Sequence, residues 1–306
     1  MSEKKVLTIG ILAHVDAGKT SITEALLHHT GATTSLGSVD KGSAITDGLT
    51  MEKNRGISIK ASSVNFTWKN TLFQLVDTPG HIDFSAEVDR SLSILDGVIL
   101  VVSAKEGVQA HTLNLWENLI ERKLPVLIFF NKIDRAGVEV EAIFLDFQKD
   151  LNAKLFALNY PDISNPENPK LVSFIACNHH REETILNTSM ENLAECDDGF
   201  LRQYLEGEPA DLAQILEKGK QHIKKAALYG ALFGSAKLDL GIEELLNSIS
   251  TLIPTPKKYY PTVAAKVFKV TFHEKKGRLT YIKSYGDVLK SKDIIRSQQL
   301  DKDLKI

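Results

Sequence analysis

Apolar residues fall along this chain in two rhythms. Short unbroken runs occupy Val6–Leu12, Leu72–Val76, Gly97–Val102, Pro125–Phe130 and Tyr229–Phe233. Runs without polar alternation suit parallel strands covered on both faces. Between them the spacing becomes helical. Phe84, Val88, Ser91, Leu92 and Leu95 share one face, as do Leu115, Trp116, Leu119 and Ile120, and again Ile242, Leu245, Leu246, Ile249 and Leu252. Strands alternating with helices predict a doubly wound α/β domain with a mostly parallel sheet. One strand differs: Val64, Phe66 and Trp68 alternate with polar residues, as expected of a half-buried antiparallel edge strand.

The rhythm changes twice more. The Pro/Asn-rich stretch Asn159–Lys170 reads as an exposed loop, Val172–Cys177 as a strand, and Phe200, Leu201, Tyr204 and Leu205 as one helix face. Pro254, Pro256 and Pro261 mark a linker, after which only strand patterns occur: Val263–Val270, Arg278–Tyr285 and, with a bulge or bend, Val288–Arg296. The expected organisation is one α/β domain over 1–256, then the start of an all-β barrel over 257–306. About fifty residues of strand are too few for an independent barrel, so this second unit reads as truncated.

Composition narrows the classes without naming one. Apolar residues make up 43% and charged residues 25% of 306 positions, the proportions of a globular protein. A net charge of −2 argues against coating nucleic acid by bulk electrostatics, so DNA is not expected as a partner. The two cysteines suit a reducing compartment better than a disulfide scaffold. No stretch is long and apolar enough to span a membrane, and the start runs straight into a strand pattern without a leader. A cytoplasmic monomer is expected. His28-His29 and His179-His180, near Cys177 and Cys196, match no structural zinc spacing.

Four segments then carry chemistry, each at the end of an apolar run. Ala13-His14-Val15-Asp16-Ala17-Gly18-Lys19-Thr20 fits the phosphate-loop pattern G-x-x-x-x-G-K-[ST], with Ala in place of the first Gly. Such a loop turns backbone N–H groups toward a β-phosphate, and the helix beginning near Ser21 adds its positive end. Lys19 would neutralise β- and γ-oxygens, and the Thr20 hydroxyl would hold Mg²⁺. Asp77-Thr78-Pro79-Gly80-His81 follows the second run: Asp77 reaches the metal through water, Pro79 stiffens the approach, and the Gly80 N–H can report the γ-phosphate. His81 is placed to orient the attacking water. Asn131-Lys132-Ile133-Asp134 reads guanine, because a carboxylate accepts from N1–H and the 2-amino group that adenine does not present. Ser235-Ala236-Lys237 supplies N–H groups to O6 and a cover for the ring. Polar, glycine-rich Gly37–Ile59 is the expected γ-phosphate-ordered switch, with Ser58 as a second hydroxyl on Mg²⁺. The expected ligand is GTP or GDP with Mg²⁺. Asp134 and Ser235 lie about a hundred residues apart, so an inserted subdomain is expected over about 145–225.

These motifs resemble, almost letter for letter, those of translational GTPases of the elongation factor G class. Arg55-Gly56-Ile57-Ser58 belongs to the likeness, as does the insertion before Ser235. Leu36–Gly42, Glu87–Gly97 and Gly234–Gly241 look most like the ribosomal protection proteins that confer tetracycline resistance. The resemblance implies a ribosome-stimulated GTPase whose full-length form releases tetracycline. Alternatives are a translocation or release factor with the same engine, and a ribosome-binding module in which hydrolysis is incidental. It further implies that the sarcin–ricin loop of ribosomal RNA positions His81, that Val15 and Ile57 form a hydrophobic gate beside it, and that a monovalent cation sits near Asp16. Ser58 departs from the commoner Thr by one methyl.

Overall fold

The computed structural model describes residues 5–33, 62–77, 90–162, 165, 169–174, 183–207, 211–255, 264–273, 277–286, 289–290, 292–297 and 302–305. Among the described residues seven strands form the central sheet: β1 (Lys5–Ala13), β2 (Ser62–Trp68), β3 (Thr71–Asp77), β4 (Gly97–Ser103), β5 (Val126–Asn131), β6 (Leu155–Ala157) and β9 (Tyr229–Phe233). Their order is β2-β3-β1-β4-β5-β9-β6. Only β2 runs antiparallel, pairing Val64 with Leu75 and Phe66 with Phe73 at the sheet's edge. The neighbours of β1 are β3 on one side and β4 on the other, which makes its carboxyl end the point where the winding reverses.

Every residue of β4 and of β5 is buried. That is why their sequences read as continuous apolar runs. Among the described residues seven helices accompany the sheet: α1 (Lys19–His29), α2 (Ala110–Glu121), α3 (Val140–Leu151), α4 (Glu183–Ala194), α5 (Asp198–Leu205), α6 (Leu212–Lys224) and α7 (Ile242–Leu252). In α7 all five periodic residues are buried. Trp116 of α2 stacks edge-on against both Phe147 of α3 and Tyr229 of β9, and its indole N–H donates to Leu151 O at 3.0 Å. The polar end of this large side chain is thereby satisfied inside the core.

Several details differ from the sequence reading. Ile120 is 39% exposed rather than on the buried face of α2. On α5 only Phe200 is buried; Leu205 is 75% exposed. Asn159–Lys170 is not simply an exposed loop, because β7 (Asn159–Asp162) pairs with β8 (Lys170–Ser173), and Asn159 and Tyr160 are buried. The Asn159 amide donates to Phe233 O at 3.1 Å and accepts from Phe233 N at 2.8 Å. It replaces the two bonds a neighbouring strand would make, so a turn-forming residue serves here as a core residue. Strand β6 escaped notice: three residues are too few to show a period, yet they pair with β9 on the main sheet. Phe84 and Val88, and the histidine pair at 179–180 with Cys177, lie outside the described residues.

Among the described residues after 264 the regular elements are all strands. β10 (Ala265–His273) and β11 (Gly277–Ser284) form an antiparallel pair with an irregularity between Val267 and Lys269, and β12 (Ile294–Ser297) pairs with β13 (Lys302–Lys305). Of the strand expected over Val288–Arg296, the described part that pairs is Ile294–Arg296, within β12. Lys283 ties this unit to the first. Its ammonium lies 2.7 Å from Asp96 Oδ1 and donates to Ile94 O at 2.6 Å, while Asp96 Oδ2 accepts the Thr8 amide at 2.8 Å. Burial lowers the Lys283 pKa and the Asp96 carboxylate opposes that shift.

Candidate functional site

The carboxyl ends of β1, β3, β4, β5 and β9 share one edge of the sheet, and those sequence-predicted site residues that are described lie there. Ala13 closes β1, Asp77 closes β3, Asn131 closes β5, and Gly234 follows β9. Parallel strands place all their carboxyl ends together, so distant segments meet without long loops.

The loop from His14 to Gly18 joins β1 to α1. Asp16 (φ 64°) and Gly18 (φ 98°) both take left-handed backbone. At Gly18 a side chain would also collide with the Asn131 amide, so glycine is required twice over. The Ala17 amide donates back to His14 O at 3.3 Å, and the Ile22 amide donates to Gly18 O at 3.0 Å. Lys19, Thr20 and Ser21 therefore form the first turn of α1, where amides lack helical acceptors and the helix dipole is positive. Successive turned N–H groups ahead of a helix make an anion cradle.

Asn131 joins the two halves of the site. Its Nδ2 donates to Ala17 O at 2.9 Å, and its Oδ1 accepts from Ala236 N at 3.0 Å. At 2% exposure, these bonds are shielded from water. The next residue, Lys132, has φ 68°, which turns the chain sharply and leaves Asp134 half-buried beyond it. Ile133 N reaches Gly234 O at 3.3 Å and Gly234 N reaches Phe130 O at 3.0 Å, so the loops after β5 and β9 are bonded edge to edge. Ser235 bonds Leu240 in both directions at 3.0 Å, closing a tight loop around Ala236–Leu238. Ser235 and Ala236 are buried, and Lys237 is exposed. The Oγ of Ser235 has no partner among the described residues.

His14 is 8% exposed, and burial lowers its pKa although Glu106 pulls it upward. Val15 stands out from the loop, 45% exposed. For Asp77 the backbone is described, paired with Ile11. The positions Ile57, Ser58, Thr78, Pro79, Gly80 and His81 lie outside the described residues. Two residues that no motif indicated also belong to this edge. Glu106, on the loop after β4, faces both His14 and Lys132; its place just past a buried run was the available signal. Asp239 (φ 53°) pairs with His29 at 3.3 Å, linking the last turn of α1 to the loop after β9.

A glycine-dependent anion cradle at the winding reversal, tied to a second loop set by one asparagine, defines a P-loop domain of the guanine-nucleotide type. The chain belongs to the Elongation factor Tu GTP binding domain family, which matches residues 4–255. It is accordingly a GTPase related to the translation factors. It is 36% identical over 97% of its length to tetracycline resistance protein TetM from transposon Tn5251 of Streptococcus pneumoniae, covering 45% of that protein. To tetracycline resistance protein TetP of Clostridium perfringens it is 38% identical over 96% of its length, covering 44% of that protein. A crystal structure of a Thermus thermophilus protein superposes with a TM-score of 0.84 at 26% identity, over 99% of this chain and 48% of that one. The chain thus spans a little under half the length of these relatives. Among the described residues no helix is long and apolar enough to cross a membrane.

Proposed function

We propose that this chain is the nucleotide-switch portion of a cytoplasmic factor that acts on the ribosome, hydrolysing GTP there, and that in full-length form it releases tetracycline. The observation that supports the nucleotide half is the Asn131 bridge, which bonds the loop after β1 to the loop after β9. The resistance half rests on likeness to proteins named for it.

In this reading Ala13–Ser21 wrap the phosphates, with Lys19 against the β- and γ-oxygens. Asp134 accepts from guanine N1–H and its 2-amino group, Lys132 and Lys237 cover the ring faces, and the amides of Ser235 and Ala236 point to O6. The Thr20 hydroxyl lies in the first turn of α1, and Asp77 ends β3 beside β1. With Ser58 they make a hard oxygen set that fits Mg²⁺. When bound, that ion offsets charge on the β- and γ-phosphate oxygens. His81 orients water for in-line attack on the γ-phosphorus, the bond to the β–γ bridging oxygen breaks, and GDP leaves with that electron pair. Val15 and Ile57 gate the approach to His81, and Asp16 is the place for a monovalent cation.

In this reading hydrolysis by the chain alone is slow. Stimulation of about 10³–10⁵-fold amounts to about 4–7 kcal/mol of barrier, supplied here by the sarcin–ricin loop region of the ribosome. The test is phosphate release by the 306-residue chain with and without ribosomes, for the wild type and for His81→Ala. Ribosome-dependent release that disappears in His81→Ala is expected. Equal release by both proteins would remove the catalytic role, and tetracycline-sensitive translation in cells carrying the complete gene would remove the resistance role.

A further inference from the structure

Glu106, on the loop after β4, faces both the loop after β1 and the loop after β5. Its Oε1 accepts from Lys132 Nζ at 3.4 Å, and its Oε2 lies 3.7 Å from His14 Nε2. One carboxylate thus spans the phosphate loop and the base loop from outside, as Asn131 does from inside. The Glu106 backbone is itself held. Its amide donates to Ser103 Oγ at 3.3 Å, its carbonyl accepts from Gln109 Nε2 at 2.6 Å, and Gly107 N returns to Ser103 O at 2.9 Å.

The same loop grips the base loop at two further points. Ala104 N donates to Asn131 O at 2.8 Å, and Lys105 Nζ donates to Ala136 O at 2.8 Å. Consecutive residues 104 to 106 therefore contact the segment 131 to 136, first through the backbone and then through successive side chains. Such repeated contact is what a positioning element needs, because one long side chain alone would swing freely. Lys132 is a flexible four-carbon stem ending in a point charge. Fixing its ammonium also fixes the stem, and the stem is the surface offered to a flat ring.

We infer that Glu106 is a positioning residue for nucleotide binding, acting through Lys132: it anchors the ammonium so that the aliphatic stem stays pre-aligned over the guanine ring. The inference rests on the function proposed above. Removing the anchor raises the cost of ordering Lys132 at binding, and this appears in the dissociation rate rather than in base selectivity.

The experiment measures dissociation of N-methylanthraniloyl-GDP from the 306-residue chain by stopped flow. Four proteins are compared: wild type, Glu106→Gln, Lys132→Ala and the double variant. Glu106→Gln keeps the side-chain length and removes the charge. It is expected to speed release about two- to fivefold, the range of a partly exposed ion pair. In the Lys132→Ala background the same change is expected to have no further effect, because its target is gone. The ratio of GDP to inosine diphosphate affinity is expected to stay at the wild-type value in Glu106→Gln. Release at the wild-type rate from Glu106→Gln overturns the inference. So does an undiminished Glu106 effect in the double variant, which would make the residue a structural support for the loop. A wild-type chain that fails to bind the labelled GDP would instead overturn the nucleotide site itself, and Asp134→Asn, expected to shift preference toward xanthine nucleotides, checks that site separately.

Discussion

Replacing Asn131 by Ala tests the centre of the site. The substitution deletes a donor at 2.9 Å from Ala17 O and an acceptor at 3.0 Å from Ala236 N, both buried. A typical bond of this kind contributes about 0.5–1.5 kcal/mol net, and stranding a buried partner costs about 1–3 kcal/mol. Because the freed loops can open to water, the lower part of each range applies, giving a total of about 2–4 kcal/mol. That sum divides between a less stable free protein and a weaker complex, since loops that have opened must be reordered when nucleotide binds. Two measurements on the same samples capture both parts: urea midpoints without ligand, and GDP affinity by calorimetry. If half of the loss falls on binding, the dissociation constant rises about five- to thirtyfold. Asn131→Asp makes a sharper case. One carboxylate oxygen can still accept the Ala236 amide, but the other faces the Ala17 carbonyl, acceptor against acceptor. Only a protonated carboxyl can donate there, so GDP affinity of Asn131→Asp should improve as pH falls toward the carboxylate range while Asn131→Ala stays flat. An Asn131→Ala protein with unchanged urea midpoint and GDP affinity within twofold of wild type would refute the bridge. An Asn131→Asp protein whose affinity is indifferent to pH would refute its assigned geometry.

Two further outcomes concern the fold. Asp197 caps α5: partial burial raises its pKa, but the Phe200 amide, His222 and Lys218 outweigh that and bring it down to about 2. A depressed carboxylate stabilises the folded state above the unfolded value of 3.8 and loses that contribution as pH falls from there toward 2. Denaturation midpoints of wild type and Asp197→Ala should therefore differ by about 1 kcal/mol near neutrality, the worth of an N-cap, and converge in this acid window. Lys283→Ala strands the buried Asp96 carboxylate. Breaking such a pair costs about 3–5 kcal/mol, so the urea midpoint should fall well below wild type. An unchanged midpoint would show that the two units do not depend on this contact.

The parallel strands were legible because burial on both faces erases polar alternation, and β4 and β5 read as what they are. The phosphate and base loops were legible for a different reason. Their chemistry demands particular residues at particular spacings: a glycine where φ is 98°, an asparagine where two loops must be joined. What escaped were residues whose roles are set by neighbours remote in sequence. Asn159 looked like a loop residue, since composition does not show that Phe233 waits to bond both ends of its amide. Leu205 looked to share one helix face with Phe200, because a short helix offers too few turns to reveal which residues meet a partner. Glu106 carried no motif at all, since a carboxylate acting through a lysine constrains distance, not spacing along the chain.

That difference bears on how the site holds together. In the function proposed above, motif residues are the ones that touch the ligand, so phosphate and guanine dictate their identity. Asn131 belongs to both groups: it sits in a motif, yet its described bonds go to Ala17 and Ala236, protein to protein. These protein-to-protein bonds set the distance between the loop after β1 and the loop after β9. Loosening the bridge should then weaken GDP and GTP by the same factor, because both need the pocket. Loosening a γ-phosphate contact should weaken GTP alone. Parallel losses for Asn131→Ala and a selective loss for a switch variant would separate the fixed frame from the moving part, whereas a selective GTP loss in Asn131→Ala would place Asn131 in the switch itself.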